Sequence, residues 1–357
     1  MKIALLGDTA FFGKNSIKNN EQIFNYFSDI KKILNQYDYV IANLETPFGE
    51  GRKPYGYKSA YIYSEIQNVG LLSYLGISIV NLANNHLFDY GKKSYELTKQ
   101  ILAKNDIGYF GVEEKQIFIE HENNKIALSG YCCYSTNPLG LGKSGINELD
   151  YPTIEENLIK NSINGNNNIL SIHAGTEHIN FPSYDQIKFA RKLSEIVPYV
   201  YYGHHPHVLQ GIEKSNDSLI AYSLGNFCFD DVYTCKSNKP LVEQSTNNKS
   251  SIILELEYEN NKLINNKAIP IFAGDEKMQI GIPDISKNLA TYSLKLDLNE
   301  RDYNNMRNEL LTSIVKKRIA KRDLKWYLSR FNLRTFFVAK DLYTNKRKYN
   351  AKLKQYL

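Results

Sequence analysis

Apolar positions along this chain recur in short blocks of two kinds, and the two kinds alternate. Ile3–Leu6, Tyr39–Leu44 and Ile77–Leu82 are continuous, largely apolar runs of strand length. Between them, Ile23, Phe27, Ile30 and Leu34 fall at helical spacing. Ile66–Leu75 reads as a helix closed by Gly76, and Ser94–Asn105 as another. Further on, Lys125–Tyr131, Asn168–His173 and Tyr199–Gly203 predict strands, with a helix over Lys188–Ile196 before the last. Ser218–Leu224 and Ile252–Tyr258 read as β-structure. This order predicts an α/β body with helices packed on sheet faces. The Asn-rich stretches 164–168 and 244–250 read as polar loops without a function.

From about Glu300 the pattern changes. Met306, Leu310, Leu311, Ile314, Val315 and Ile319 share one side of a helix predicted over Asn304–Arg322, with Lys316, Lys317, Lys321 and Arg322 elsewhere. Trp326, Tyr327, Leu328, Phe331, Phe336 and Phe337 then make an aromatic-rich segment. Charge divides the chain at the same place. Residues 301–357 carry 16 Lys/Arg against 4 Asp/Glu, so the rest is mildly acidic within a formal net charge of +6. The expected organisation is a body over 1–275, a connecting segment over 276–300 and a basic helical region over 301–357.

With 357 residues the chain is long enough for a substantial core. Its four cysteines have no CxxC spacing and read as reduced, packed thiols, with Cys132 and Cys133 on opposite faces of a strand. The first residues are too short an apolar run for a signal peptide, and no run of about 18 apolar residues occurs. The expected compartment is therefore the cytoplasm. Peripheral contact with the inner face of the membrane is one use for the basic region.

Chemistry concentrates at predicted strand ends. Asp8 follows the first strand, and Asn43-Leu44-Glu45 closes the second. Asn84-Asn85-His86 follows the third, with Asp89 close behind. His173-Ala174-Gly175-Thr176-Glu177-His178 and His204-His205-Pro206-His207 follow two later strands, so six of the seven histidines lie at this edge. Each block alone reads more readily as a cap or loop hydrogen-bonder. Together they offer carboxylate, amide and imidazole, a donor set for hard-to-borderline divalent metals.

These blocks, with Asp89-Tyr90-Gly91, Gly203–Gln210 and Tyr222–Phe227, resemble the CapA family over about residues 1–230, extending towards 275. That family is named for poly-γ-glutamate capsule synthesis and belongs to the calcineurin-like metallophosphoesterase superfamily. The resemblance implies a four-layer α-β-β-α sandwich and a centre for two divalent ions (Mn, Fe or Zn). In that mapping Asp8 holds one ion, Glu45 bridges, Asn85 and His173 hold the second, and His205 and His207 give one imidazole to each. Residue 10 is Ala where the superfamily's Asp-x-His has histidine, which leaves the first position short of a ligand. The extra histidine of the last motif leaves His204 as the alternative to His205.

The implied activity is hydrolysis of a phosphomonoester or phosphodiester in capsule or cell-envelope polymer assembly. His86 would donate a proton to the leaving oxygen or stabilise transition-state charge. Asp89 would support it, and a purely structural His86–Asp89 hydrogen bond is the plain alternative. Asn43, Glu177, His178, His204 and Asn226 are expected around the ligands or in the site walls. Arg52, Lys53 and Lys58, in the loop after Glu45, either meet an anionic substrate or form a solvated face. Expected partners are a phosphorylated small molecule, glycan or lipid-linked substrate, and an anionic membrane surface for 301–357. A docked helix with its lysines in solvent, or attraction of a polyanion, are the other readings of that region. Nucleic acid is not expected, because no recognition motif accompanies the charge. A non-hydrolytic component of polymer synthesis or export, binding polymer carboxylates, is the competing function.

Overall fold

The computed structural model describes residues 1–49, 53–234, 237–320 and 333–357. The apolar runs become strands β1 (Lys2–Thr9), β2 (Tyr39–Leu44), β3 (Ile77–Asn81) and β4 (Gly108–Phe110), paired in parallel in that order. Helices α1 (Ile23–Tyr26) and α2 (Ser28–Leu34) lie between β1 and β2, α3 (Val69–Tyr74) leads into β3 and α4 (Gly91–Lys104) follows it. The one helix expected over Ile23–Leu34 is two. Phe27 leaves helical geometry (φ −96°, ψ 2°) with its buried ring packed edge-on against Phe11 and Tyr26 and stacked on Phe227.

A second sheet starts with the hairpin of β5 (Ile117–His121) and β6 (Asn124–Cys132). It continues through β7 (Asn167–His173) and β8 (Tyr199–His204), and ends with the hairpin of β9 (Ile212–Ser215) and β10 (Ser218–Ala221), in which β10 pairs with β8 and β9 forms the edge. Helices α5 (Tyr151–Ile163) and α6 (Tyr184–Ile196) are its crossovers. The chain then returns to the first sheet. β11 (Asn226–Cys228) pairs with the end of β1. A hairpin of β12 (Val232–Thr234) and β13 (Ser237–Val242) and the short α7 (Thr246–Lys249) come next. β14 (Ser250–Glu259), β15 (Lys262–Ala273) and β16 (Met278–Ile280) complete that sheet beyond β1. Helices α8 (Pro283–Leu294), α9 (Glu300–Ala320) and α10 (Leu333–Tyr356) end the described chain.

Strand alternation separates three cores. Ile3, Leu5, Ile41 and Ile79 of the first sheet meet Ile126, Leu128, Ile169, Val200 and Tyr202 of the second. Their neighbours Ala4, Leu6, Val40, Ala42 and Val80 pack under α1–α4. Leu170, Ile172, Tyr199 and Tyr201 pack under the helices of the second sheet. Both faces of each central strand are buried, which is why the sequence shows unbroken apolar runs. The result is the expected four layers, α-β-β-α.

The basic region is part of the outermost layer. Tyr303 of α9 and Leu353 of α10 are buried in the second sheet's outer core. The Tyr356 ring stacks on Tyr151, and Lys352 reaches Glu148 at 2.7 Å and Asp150 at 3.1 Å. Lys321, Arg322, Trp326, Tyr327, Leu328 and Phe331 lie outside the described residues, as do Arg52 and Cys235. Cys132 and Cys133 are free and buried on opposite sides of the second sheet, and burial pushes both thiols up, so neither is poised as a nucleophile.

Candidate metal centre

The parallel strands of both sheets end at one edge, and two close backbone approaches set its geometry. A Cβ on Gly7 would lie 2.0 Å from the Gly225 carbonyl oxygen, so glycine there lets β11 reach β1, where the Asp8 N–H donates to that carbonyl. A Cβ on Gly203 would lie 1.9 Å from the Tyr222 carbonyl oxygen, so β8 can deliver the His204–His207 block alongside Asp8. Beyond β8 the chain leaves strand geometry. His205 and His207 adopt φ of +93° and +57°, conformations that cost a non-glycine residue about 1–3 kcal/mol each and concentrate at functional sites.

These constraints bring together two overlapping groups of buried donors. Asp8, Glu45 and His207 form one, and Glu45, His173 and His205 the other, each with its ligand atoms within 4.8 Å of one another. Glu45 belongs to both. Its Oε1 lies 3.5 Å from His207 Nε2 and 3.8 Å from His173 Nε2. Asn85 joins the second group, its Oδ1 being 2.9 Å from His173 Nε2.

Whether these residues suit divalent ions is tested by Glu45. It is fully buried, and among the described residues neither carboxylate oxygen has a hydrogen-bond partner. A buried carboxylate without donors is costly unless it is protonated, paired or bound to a metal ion. Burial pushes Glu45 well above its ordinary range, Asp8 adding to the push against the pull of His207. Burial also acts on Asp8, but His204 and His207 outweigh it and hold Asp8 well below the usual carboxylate range. Against its own burial, His207 is held up at about 10 by Glu45 and Asp8. Burial drives His205 down to about 4, and burial with the neighbouring His205 holds His173 well below its ordinary value. Mixed carboxylate, amide and imidazole donors held this close together suit a divalent ion.

A surrounding shell orients these ligands. Asn43 donates to Asp8 Oδ1 at 2.8 Å and has Asn81 as donor to its own Oδ1 at 3.0 Å. Asn226 Oδ1 lies 2.9 Å from His207 Nδ1, which turns Nε2 towards Glu45. Gln244 accepts from Asn226, while Asn248 donates to the His207 carbonyl and lies 2.9 Å from His178 Nδ1. The stretch 244–250 therefore does have a role. It folds as the Ser245-capped α7 and buttresses the last histidine.

His204 belongs to neither donor group. Its ring stands edge-on to Tyr202 between the sheets, with Nδ1 3.2 Å from Asp8 Oδ1, because strand alternation points residues 202 and 204 the same way. Glu177 is exposed and sits 3.9 Å from the His178 ring, so both form rim rather than centre. Lys53 is exposed.

Lys58 departs from both expectations for it. It is only 5% exposed, and its ammonium donates to Asp89 Oδ1 at 2.6 Å and to the Asn85 carbonyl at 2.5 Å. Asp89 also receives His86 Nδ1–H at 2.6 Å and the Ile62 N–H at 2.8 Å. Burial would raise Asp89, but His86 and Lys58 hold it below its ordinary value. Burial, and Lys58 beside it, keep His86 low and neutral against the pull of Asp89. With Nδ1–H donated to Asp89 and the ring neutral, Nε2 is the unprotonated nitrogen.

Comparison with known proteins agrees with the sequence resemblance. The chain is 28% identical over 249 residues to the capsule biosynthesis protein CapA of Bacillus anthracis, covering 64% of this chain and 60% of that protein. It is 29% identical over 239 residues to the PGA biosynthesis protein CapA of Bacillus subtilis (strain 168), covering 63% and 61%. The chain thus spans about three-fifths of the length of these curated relatives. Among solved structures, a 5'-nucleotidase precursor from Thermus thermophilus aligns over 82% of this chain and 58% of that one, with TM-score 0.43 and 11% identity. The family described as bacterial capsule synthesis protein PGA_cap matches residues 2–231, and the chain belongs to that family.

Proposed function

We propose that this chain is a metal-dependent phosphoester hydrolase serving capsule or cell-envelope polymer biosynthesis. One observation carries the reading: a buried Glu45, without a hydrogen-bond partner among the described residues, shared between two histidine-containing donor groups. Two divalent ions held there would neutralise charge on a phosphoryl group and acidify a water. The chain's own residues supply the rest. Asp8, Glu45 and His207 would hold one ion, and Glu45, Asn85, His173 and His205 the other. Asn43 and Asn226 keep two of these ligands oriented. With Nδ1–H bonded to Asp89, the neutral His86 ring has an unprotonated Nε2, which would take up a proton before giving it to the leaving oxygen.

The fully buried Ala10 adds no donor beside Asp8, which favours weaker binding at the first position. Non-hydrolytic binding of an anionic polymer is the reading that gains if that position stays empty. The test is turnover of p-nitrophenyl phosphate and bis-p-nitrophenyl phosphate by purified protein with Mn²⁺, Fe²⁺ or Zn²⁺. Hydrolysis that falls at least about a hundredfold in His207→Ala is expected, as for loss of a principal charge-stabilising group. Absence of turnover with every ion, together with polymer binding that survives EDTA, would overturn it.

A further inference from the structure

Helix α10 has two unlike faces. One is docked: Asn345 bonds Asn137 at 3.1 Å, Lys352 pairs with Glu148 and Asp150, and Leu353 is buried. On the opposite side, helical spacing aligns Leu333, Phe336, Lys340, Tyr343 and Arg347. All five are exposed, Leu333 by 77%, Phe336 by 63% and Tyr343 by 64%. The Arg347 guanidinium lies 5.8 Å over the Tyr343 ring. Among the described residues neither Lys340 nor Arg347 has a carboxylate partner, and α10 carries seven Lys/Arg against one Asp.

We propose that this outer face of α10 docks on an anionic lipid surface. Large apolar side chains interleaved with cations on one exposed helix face suit the headgroup boundary, where rings and aliphatic stems enter the acyl edge and charges meet lipid phosphates. A soluble polyanion would use the cations but give Leu333 and Phe336 nothing to bury against. A second copy of the chain would bring one basic face against another.

The same helix touches the loop that leads to Lys58. Phe337 stacks on Tyr57 with ring centroids 5.0 Å apart and 19° between planes, and Tyr57 directly precedes Lys58 of the His86–Asp89 cluster. Docking would therefore present the centre to a phosphoester carried at the bilayer surface. The docking itself requires no hydrolysis, so it is tested without turnover.

The experiment is co-sedimentation of the full chain with vesicles of 30% phosphatidylglycerol in phosphatidylcholine, and with pure phosphatidylcholine. Each cation near an anionic surface is worth about fivefold in partitioning, so Lys340→Glu/Arg347→Glu should weaken binding roughly twentyfold or more. Leu333→Ser/Phe336→Ser/Tyr343→Ser should weaken it roughly tenfold or more. Lys262→Glu, on the remote β15, should leave it unchanged. Unaltered thermal unfolding in the variants shows that the effect is on docking. Three results would overturn the proposal: equal binding to both vesicle types, vesicle binding indifferent to both multiple variants, or a dimer by sedimentation velocity that the serine variant dissolves. So would a soluble polyanion that binds with the same dependence on these residues while vesicles do not.

Discussion

Lys58→Met is the most informative single perturbation outside the proposed metal ligands. In the native protein the ammonium is almost fully enclosed and bonded to Asp89 Oδ1 and the Asn85 carbonyl. Removing one partner of a buried pair costs about 3–5 kcal/mol, mostly because the remaining charge is left uncompensated. Asp89 would keep two donors, the Ile62 N–H and His86 Nδ1–H. Those donors place the expected loss at the low end, about 3 kcal/mol. Asp89→Asn should cost a similar amount by stranding the ammonium. The double variant Lys58→Met/Asp89→Asn removes both charges and should lose only about 1–2 kcal/mol, the scale of a neutral buried hydrogen-bond change. The cycle thus predicts a coupling well above 2 kcal/mol. Urea unfolding followed by circular dichroism, with the four proteins at equal metal loading, measures it. Losses that simply add, or a Lys58→Met loss below about 0.5 kcal/mol, would show that the ammonium is not neutralising a buried charge. Acid sets the sign of the pH dependence. Asp89 is held below its ordinary value when folded, so its contribution is complete above the unfolded value of about 3.9 and lost as pH falls through the lower folded value. The stability gap between the native protein and Asp89→Asn should stay level down to about pH 4 and close only below it.

Two predictions concern the centre itself. In the absence of bound metal His207 is held up at about 10 by Glu45 and Asp8, so at pH 8 their cluster retains a proton that coordination must expel. Calorimetric titration with Mn²⁺ in buffers of different ionisation enthalpy should show at least one proton released, and apparent affinity rising with pH below about 10. Buffer-independent heats would refute this. His205→Ala should lower the metal count of the purified protein by mass spectrometry, whereas His204→Ala should preserve it, because His204 belongs to neither donor group. The reverse result would reassign the imidazoles of the last motif.

Much of the layer architecture was legible because burial on both faces leaves an unambiguous mark. The runs Ile3–Leu6, Tyr39–Leu44 and Tyr199–Gly203 have no polar face to present, and each is a central strand between two cores. Strand ends were legible for a related reason. A polar residue that immediately follows such a run has only the sheet edge to occupy, so Asp8, Glu45, Asn85, His173 and the last histidines could be expected at one place. What was not legible is where a side chain turns after the strand ends. His204, His205 and His207 are equivalent as letters. The left-handed backbone at residues 205 and 207 separates them, leaving only 204 in strand phase.

Supporting residues were hidden by a different circumstance. Lys58 lies in a loop rich in Gly, Pro and Tyr, where a lysine is ordinarily solvated, and its partner Asp89 is 31 residues away. Gln244 and Asn248 lie in an Asn-rich stretch that composition alone makes look inert, yet they hold Asn226 and His207. Neither pairing has a periodicity to read, because each is made by tertiary closure between loops. The burial cost that makes Lys58 improbable in a core is also what identifies it once the fold is known. A buried ammonium needs a close partner, and here that partner, the Asp89 carboxylate, fixes the tautomer of His86 beside Asn85. The same logic separates the two faces of α10. Lys352, paired with Glu148 and Asp150, belongs to the body, while Lys340 and Arg347, set among exposed aromatic and aliphatic side chains, have no carboxylate partner among the described residues, which is what the proposed lipid contact rests on.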